Sequence, residues 1–138
     1  MSENDKTFQL EILTPHRTVF SGDVTYLRAP GIEGSFGVLK DHIPFLTALD
    51  IGEIVVETGG KRRYFATSGG FVEVLDNVVS ILAETAEASD DIDVDRAKRA
   101  KERAEKRLAQ HDATVNLARA RAALMRATVR LKVAFETH

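Results

Sequence analysis

Chemistry has few places to reside in this chain. The absence of cysteine removes thiol nucleophiles, disulfide frameworks and cysteine-based zinc sites. A histidine can act as acid or base, but no partner triad accompanies His42, and a turn or interface role is the simpler reading. Gly69-Gly70 has no helix after it to complete a phosphate cradle, so close backbone approach at a bend accounts for the pair. There is no glycine-rich Walker loop, no metal-ligand cluster and no suitably spaced carboxylate pair, which argues against a stand-alone enzyme. What remains is a concentration of cations. Residues 92–138 carry twelve lysines and arginines against six acids, a balance of +6, while the preceding residues carry seven against fifteen, a balance of −8. Taken by composition, the arginines read as a solvated helix surface laced with salt bridges. A nucleic-acid-binding hairpin is the reading from another class. Against it stand the lack of aromatic residues interleaved with the basic ones and the acidity of the rest of the chain.

The elements that must position these residues fall into two groups, 1–88 and 89–138. In the first, Phe8, Leu10 and Ile12 alternate with Gln9, Glu11 and Leu13 before Pro15, and Val24, Tyr26 and Leu27 lead to Pro30. Ile54–Thr58, Gly59-Gly60 and Lys61–Thr67 form a hairpin pattern, repeated by Phe71–Leu75, Asp76-Asn77 and Val78–Ala83. No helix-length periodicity precedes residue 88, so an antiparallel β-sandwich or flattened barrel is expected. The second group has no glycine or proline and is rich in alanine, leucine, arginine and lysine. It predicts a helix capped by Asp91 or a neighbour, a break at Gln110-His111-Asp112, and a second helix to about Ala134. Asp95 with Arg99 and Glu102 with Lys106 have the spacing of favourable ion pairs. Leu117, Leu124 and Leu131 recur every seven residues, as do Ala113, Ala120, Ala127 and Ala134; Val94, Ala97, Ala104 and Leu108 answer from the first helix. Such a thin seam should open at low cost, and helices this short must lean on the sheet or on a partner. The fold class is α+β, a sandwich followed by a two-helix antiparallel hairpin. No run reaches the roughly 18 apolar residues of a membrane helix, and Met1–Lys6 is polar, so neither direct membrane insertion nor a signal peptide is expected.

The run from Gly31 to Gly52, GIEGSFGVLKDHIPFLTALDIG, resembles the loop and strand signature of the epsilon subunit of bacterial F-type ATP synthases. SGGFVEVL at 68–75 and RATVRL at 126–131 are similar to that family in the same order, and the likeness spans about residues 7–135. One departure is Lys40-Asp41, where the family more often has proline or glycine followed by glycine or asparagine. The resemblance implies a non-catalytic rotor subunit at the cytoplasmic face of the plasma membrane. Its sandwich would bind the gamma subunit and the c-ring, with Glu33, Ser35 and His42 at subunit interfaces. Its helices, when extended, would face the alpha and beta subunits and obstruct ATP hydrolysis; nucleic acid has no place in this picture.

Ile92-Asp93-Val94-Asp95-Arg96-Ala97 is similar to the nucleotide-binding signature of ATP-sensing members of the family. By the same resemblance Glu87, Arg103, Arg126 and Arg130 fall at positions that contact ATP, so the implied site is Glu87, Ile92, Asp93, Arg96, Ala97, Arg103, Arg126 and Arg130. ATP would act as a regulatory ligand that holds the hairpin compact; magnesium is compatible with the motif without being required by it. Helical geometry agrees, because a seven-residue step is only ~20° from a whole number of turns. Arginine suits such a ligand, because its planar fork bonds phosphate oxygens in pairs and stays charged. Asp93 and Glu87 would orient an arginine or accept from the adenine amino group.

Overall fold

The computed structural model describes residues 6–110 and 116–136. Ten strands come first among them: β1 (Phe8–Leu13), β2 (Thr18–Val24), β3 (Tyr26–Gly31), β4 (Gly34–Val38), β5 (Phe45–Leu49), β6 (Gly52–Thr58), β7 (Lys61–Thr67), β8 (Gly70–Leu75), β9 (Val78–Ala83) and β10 (Ala86–Ala88). One turn of 3-10 helix at Ser89–Asp91 leads to α1 (Val94–Ala109) and α2 (Leu117–Ala134). The strands hydrogen-bond in the order β10-β7-β6-β3-β5-β8-β9-β1-β2, with β4 added to β3, and the sheet folds over itself into a nearly closed sandwich. The expected sandwich and helical hairpin are therefore both present. One pairing differs from the rest: β1 runs parallel to β9, from Gln9 opposite Val78 to Leu13 opposite Leu82.

Alternation builds the core. Phe8, Leu10 and Ile12 of β1, Val72 and Val74 of β8, and Val79 and Ile81 of β9 point inward and are buried together. The two expected hairpin turns have the backbone their residues permit. Gly59 and Gly60 lie at φ of 58° and 77°, and Asp76 and Asn77 at 52° and 64°, the positive values of a type I′ turn. Asn77 then works as a tie: its Nδ2 donates to the Thr7 carbonyl at 3.1 Å and its Oδ1 accepts from the Asp41 amide at 2.8 Å. Asp41 itself lies at φ of 60°, so this turn keeps the left-handed conformation that glycine and asparagine favour. At Gly70 a Cβ would overlap the Leu82 carbonyl of the neighbouring strand, which is the close backbone approach expected there.

Strands β6 and β7 are buried on both faces. Ile54, Val56 and Phe65 belong to the sandwich core, yet Val55 and Ala66, which alternate with them, are buried too. Helix α2 covers that outer side: Val133 is fully buried against Ala66 and Ile92, with Tyr64, Val129 and Ala134 packed around them. The continuous apolar run Ile54-Val55-Val56 is the sequence trace of this two-sided burial.

Several finer expectations are narrowed or corrected, the cap of α1 falling on a neighbour of Asp91. Helix α1 is capped by Asp93, whose Oδ1 accepts from the Arg96 amide at 3.0 Å; Asp91 sits in the preceding 3-10 turn. Asp95–Arg99 and Glu102–Lys106 close no ion pair within 4.0 Å, both pairs being free to stay hydrated on an exposed face. The seam is made by alanines, with Ala97 and Ala104 buried against Ala120 and Ala127, whereas Leu124 and Leu131 are half-buried and Leu117 is 45% exposed. His111, Asp112 and Ala113 lie outside the described residues.

A carboxyl lies under the docked helix. Glu53 of β6, in register with Ala66, has a side chain only 8% exposed and meets Arg28 Nη2 of β3 at 3.3 Å and Lys132 Nζ of α2 at 3.7 Å. Its Oε2 is buried and, with all carboxyls ionised, has no hydrogen-bond partner. Burial pushes this carboxyl above the ordinary glutamate range, and a hydrogen bond to the Glu136 carboxyl just past α2 raises it further; Lys132 and Arg28 pull it down, but by less. The docked hairpin thus favours protonated Glu53. The stability this contributes is full below the ordinary value and is lost as the pH rises through the raised one. Urea unfolding followed over that interval should slope accordingly in the wild type and flatten in Glu53→Gln; identical slopes would exclude the effect.

Candidate functional site

Between the hairpin and the sheet lies an open groove of about 610 Å³, a size ordinary for small-molecule sites, which span roughly 300–1,000 Å³. Its α1 wall begins at the Asp93 cap, which sets where the helix starts. Arg96 and Arg103, seven residues apart, and Arg107, four further on, then share one side, with Ala97, Ala100 and Ala104 between them. Helix α2, capped by Asn116 Oδ1 on the Arg119 amide at 3.1 Å, supplies Ala123, Arg126 and Arg130. The alanines that let the helices approach also leave the groove its depth.

Strand β10 forms the floor. Ala86 and Ala88 point into the sandwich core, so Glu87 between them points outward. There its Oε1 accepts from Arg130 Nε at 2.6 Å, both side chains being about one third exposed (29% and 31%). This pair connects the sheet to α2 and sets the direction of the Arg130 fork.

Of the eight positions implied by the motif, seven line the groove: Glu87, Asp93, Arg96, Ala97, Arg103, Arg126 and Arg130. Ile92 does not. It is 8% exposed and packs beneath α2 with Ala66 and Val133, so in this chain it fastens the hairpin to the sheet. Asp93 is already engaged, one oxygen holding the α1 cap. Sequence reasoning missed Arg107, which a further four-residue step from Arg103 would have reached. It also missed His16 and Arg17 of the β1–β2 turn, and Glu84 and Thr85 before β10, which only the tertiary fold brings here. Six arginines thus meet three carboxylates in one groove. Glu87 engages Arg130, and among the described residues Arg17, Arg96, Arg103, Arg107 and Arg126 have no ion pair. Such a surplus of rigid forks on convergent walls attracts an anion with several acceptor oxygens.

The other surface is apolar. On the outer face of the sheet Phe71 stands opposite Leu82, and Leu75 opposite Val78, all exposed; Leu46 of β5 is exposed beside them. Glu33 and Ser35 are exposed at the β3–β4 hairpin, whereas His42 is half-buried in the β4–β5 loop, its ring edge-on to Phe45 with centroids 6.1 Å apart. No hydrogen bond links His42 to Glu33 or Ser35; its Nδ1 lies 2.8 Å from the Ile43 carbonyl. Among the described residues no helix is long and apolar enough to cross a membrane.

Comparison with known proteins gives one consistent result. Residues 7–89 match the family "ATP synthase, Delta/Epsilon chain, beta-sandwich domain", and residues 90–134 match "ATP synthase, Delta/Epsilon chain, long alpha-helix domain". The ATP synthase epsilon chain of Nitratidesulfovibrio vulgaris is 54% identical over 94% of this chain and 96% of its own. That of Syntrophomonas wolfei is 48% identical over 93% and 94%. Among solved structures, a chain of the Euglena gracilis mitochondrial ATP synthase superposes with a TM-score of 0.80 at 27% identity, covering 94% of this chain and 82% of that one. A chain from the central stalk and c-ring of the Tetrahymena thermophila mitochondrial enzyme shares the fold, with a TM-score of 0.65 at 14% identity.

The double demand on Asp93 can be separated. Asp93→Ala should lower stability by about 1 kcal/mol through loss of the cap, and Asp93→Ser should restore most of it. Thermal unfolding of the two variants checks this; equal losses would remove the capping role.

Proposed function

The chain belongs to the ATP synthase delta/epsilon family, and from that premise we propose that it is the epsilon subunit of an F-type synthase, a non-catalytic part of the central stalk whose hairpin senses ATP. In this reading the sandwich docks on the gamma subunit and the c-ring. The exposed apolar face around Phe71, Leu82 and Leu46 supports such docking, because isolated apolar residues are normal on a surface but a contiguous group marks an interface. Glu33 and Ser35 at the β3–β4 hairpin, and His42 in the β4–β5 loop, offer polar contacts from two separate connections.

The observation that carries the nucleotide part is the convergence of Arg96 and Arg103 from α1 with Arg126 and Arg130 from α2 on one groove over Glu87. ATP bound there neutralises the arginines of both helices at once and favours the compact arrangement. Magnesium can accompany the phosphates, but the arginines alone supply the needed charge. Released, the basic helices reach for acidic surfaces of the alpha and beta subunits and obstruct hydrolysis. A hundredfold preference of ATP for the compact form supplies only about 2.7 kcal/mol, and a seam of alanines, which buries little apolar surface, lets a shift of that size count. The subunit works peripherally at the cytoplasmic face of the membrane, through its partners. It performs no chemistry on ATP, which is a ligand here.

ATP should raise the melting temperature of the isolated chain, and Arg126→Ala should reduce that rise by more than half. An unchanged melting curve at saturating ATP would sink the sensor reading. In the assembled synthase, deleting residues 89–138 should raise ATP hydrolysis; unaltered hydrolysis would remove the inhibitory role.

A further inference from the structure

The groove has a wall that the motif does not describe. Thr14, His16 and Arg17 belong to the turn between β1 and β2, far in sequence from the helices, yet they line the same cavity as Arg96, Arg103 and Arg126. The turn is tightly built. The Thr14 amide donates to the Arg17 carbonyl at 2.9 Å, and the Thr14 hydroxyl donates to the same carbonyl at 3.2 Å. That hydroxyl oxygen also accepts from the amides of His16 and Arg17, each at 3.3 Å. Pro15 fixes its own φ, and an irregular register between Ile12 and Leu13 bends the strand end just before the turn. Arg17 is thus held on a stiff base. Its side chain is exposed and has no ion pair among the described residues.

An anion held by α1 and α2 alone would fasten the two helices to each other and leave their seat on the sandwich unchanged. A sheet residue that attracts the same anion would add a direct hold of the ligand on the sandwich. Glu84 and Glu87 repel its phosphates, Glu87 being held by Arg130 and suited only to the adenine end, and Thr85 offers only a neutral hydroxyl. Among the lining residues Arg17 is the sole arginine the sheet contributes. We infer that Arg17, with His16 beside it, is a third arm of the nucleotide site, binding a phosphate of the ligand from the sheet side and so tying both helices to the sandwich through the ligand. This rests on the ATP reading above and deepens it: the ligand acts as a bridge between three elements.

Calorimetric titration of the full chain with ATP, and separately with adenosine, tests the bridge in wild type, Arg17→Ala and Arg17→Lys. Loss of one charge-assisted contact to phosphate should weaken ATP binding about ten- to hundredfold in Arg17→Ala. Arg17→Lys should recover part of it, adenosine binding should stay equal in all three, and melting without ligand should stay unchanged. ATP affinity within twofold of wild type in Arg17→Ala would overturn the inference while leaving the ATP reading in place. A parallel fall in adenosine affinity or in ligand-free melting would also overturn it, since the turn would then be structural. Absence of ATP binding in the wild type would remove both.

Discussion

The covering of β6 and β7 by α2 is the contact on which the arrangement of the molecule depends. Val133, Ala66 and Ile92, with Tyr64, Val129 and Ala134 around them, form a small apolar cluster, and the contacts of Arg130 with Glu87 and Lys132 with Glu53 add polar links between α2 and the sheet. Because the cluster sits near the carboxy-terminal end of α2, it holds one end of the hairpin against the sheet and leaves an arginine-lined opening beside the other elements. Glu87–Arg130 lies along that opening. The groove is therefore a product of packing: where apolar contact stops, the basic walls stand apart.

Electrostatics then work on a weak mechanical base. The alanines along the helix seam allow close approach but remove few methylenes from water, each worth about 0.8 kcal/mol. A cluster of like charges in one cavity adds repulsion that the three nearby carboxylates only partly offset. Glu53 adds a second compromise at the docking face, a carboxyl taken out of water between two cations and another carboxyl. A hairpin held by small contributions of opposite sign can be redistributed by a ligand of ordinary affinity.

How much of this was written in the sequence depended on the range of the interaction. The turns at Gly59-Gly60 and Asp76-Asn77 were readable because positive φ is a demand on the residue at that very position. Both helices were readable from their composition and the absence of glycine and proline. The arginine positions on one side of α1 followed from the helical period. By contrast, the parallel partner of β1 lies some seventy residues away and leaves no local mark. The choice of Asp93 over Asp91 as cap turned on a short 3-10 turn that four neighbouring aspartates could not locate. Leu117, Leu124 and Leu131 have the spacing of a seam, but the helices meet on their alanines, since smaller side chains allow a closer approach. Arg17 could not be associated with the groove at all, because its place there comes from the fold of the sheet and from nothing in its own neighbourhood.

The position of β1 bears on how the chain reaches this state. The first strand finds β2 at once, but its other edge must wait for β9, and the Thr7 carbonyl must wait for Asn77. During synthesis the amino-terminal segment therefore emerges long before its second neighbour exists, and ordering it requires closing a loop of most of the sandwich. Both helices leave the ribosome only after that loop can close, so their seat on β6 and β7 is available by the time Val133 arrives.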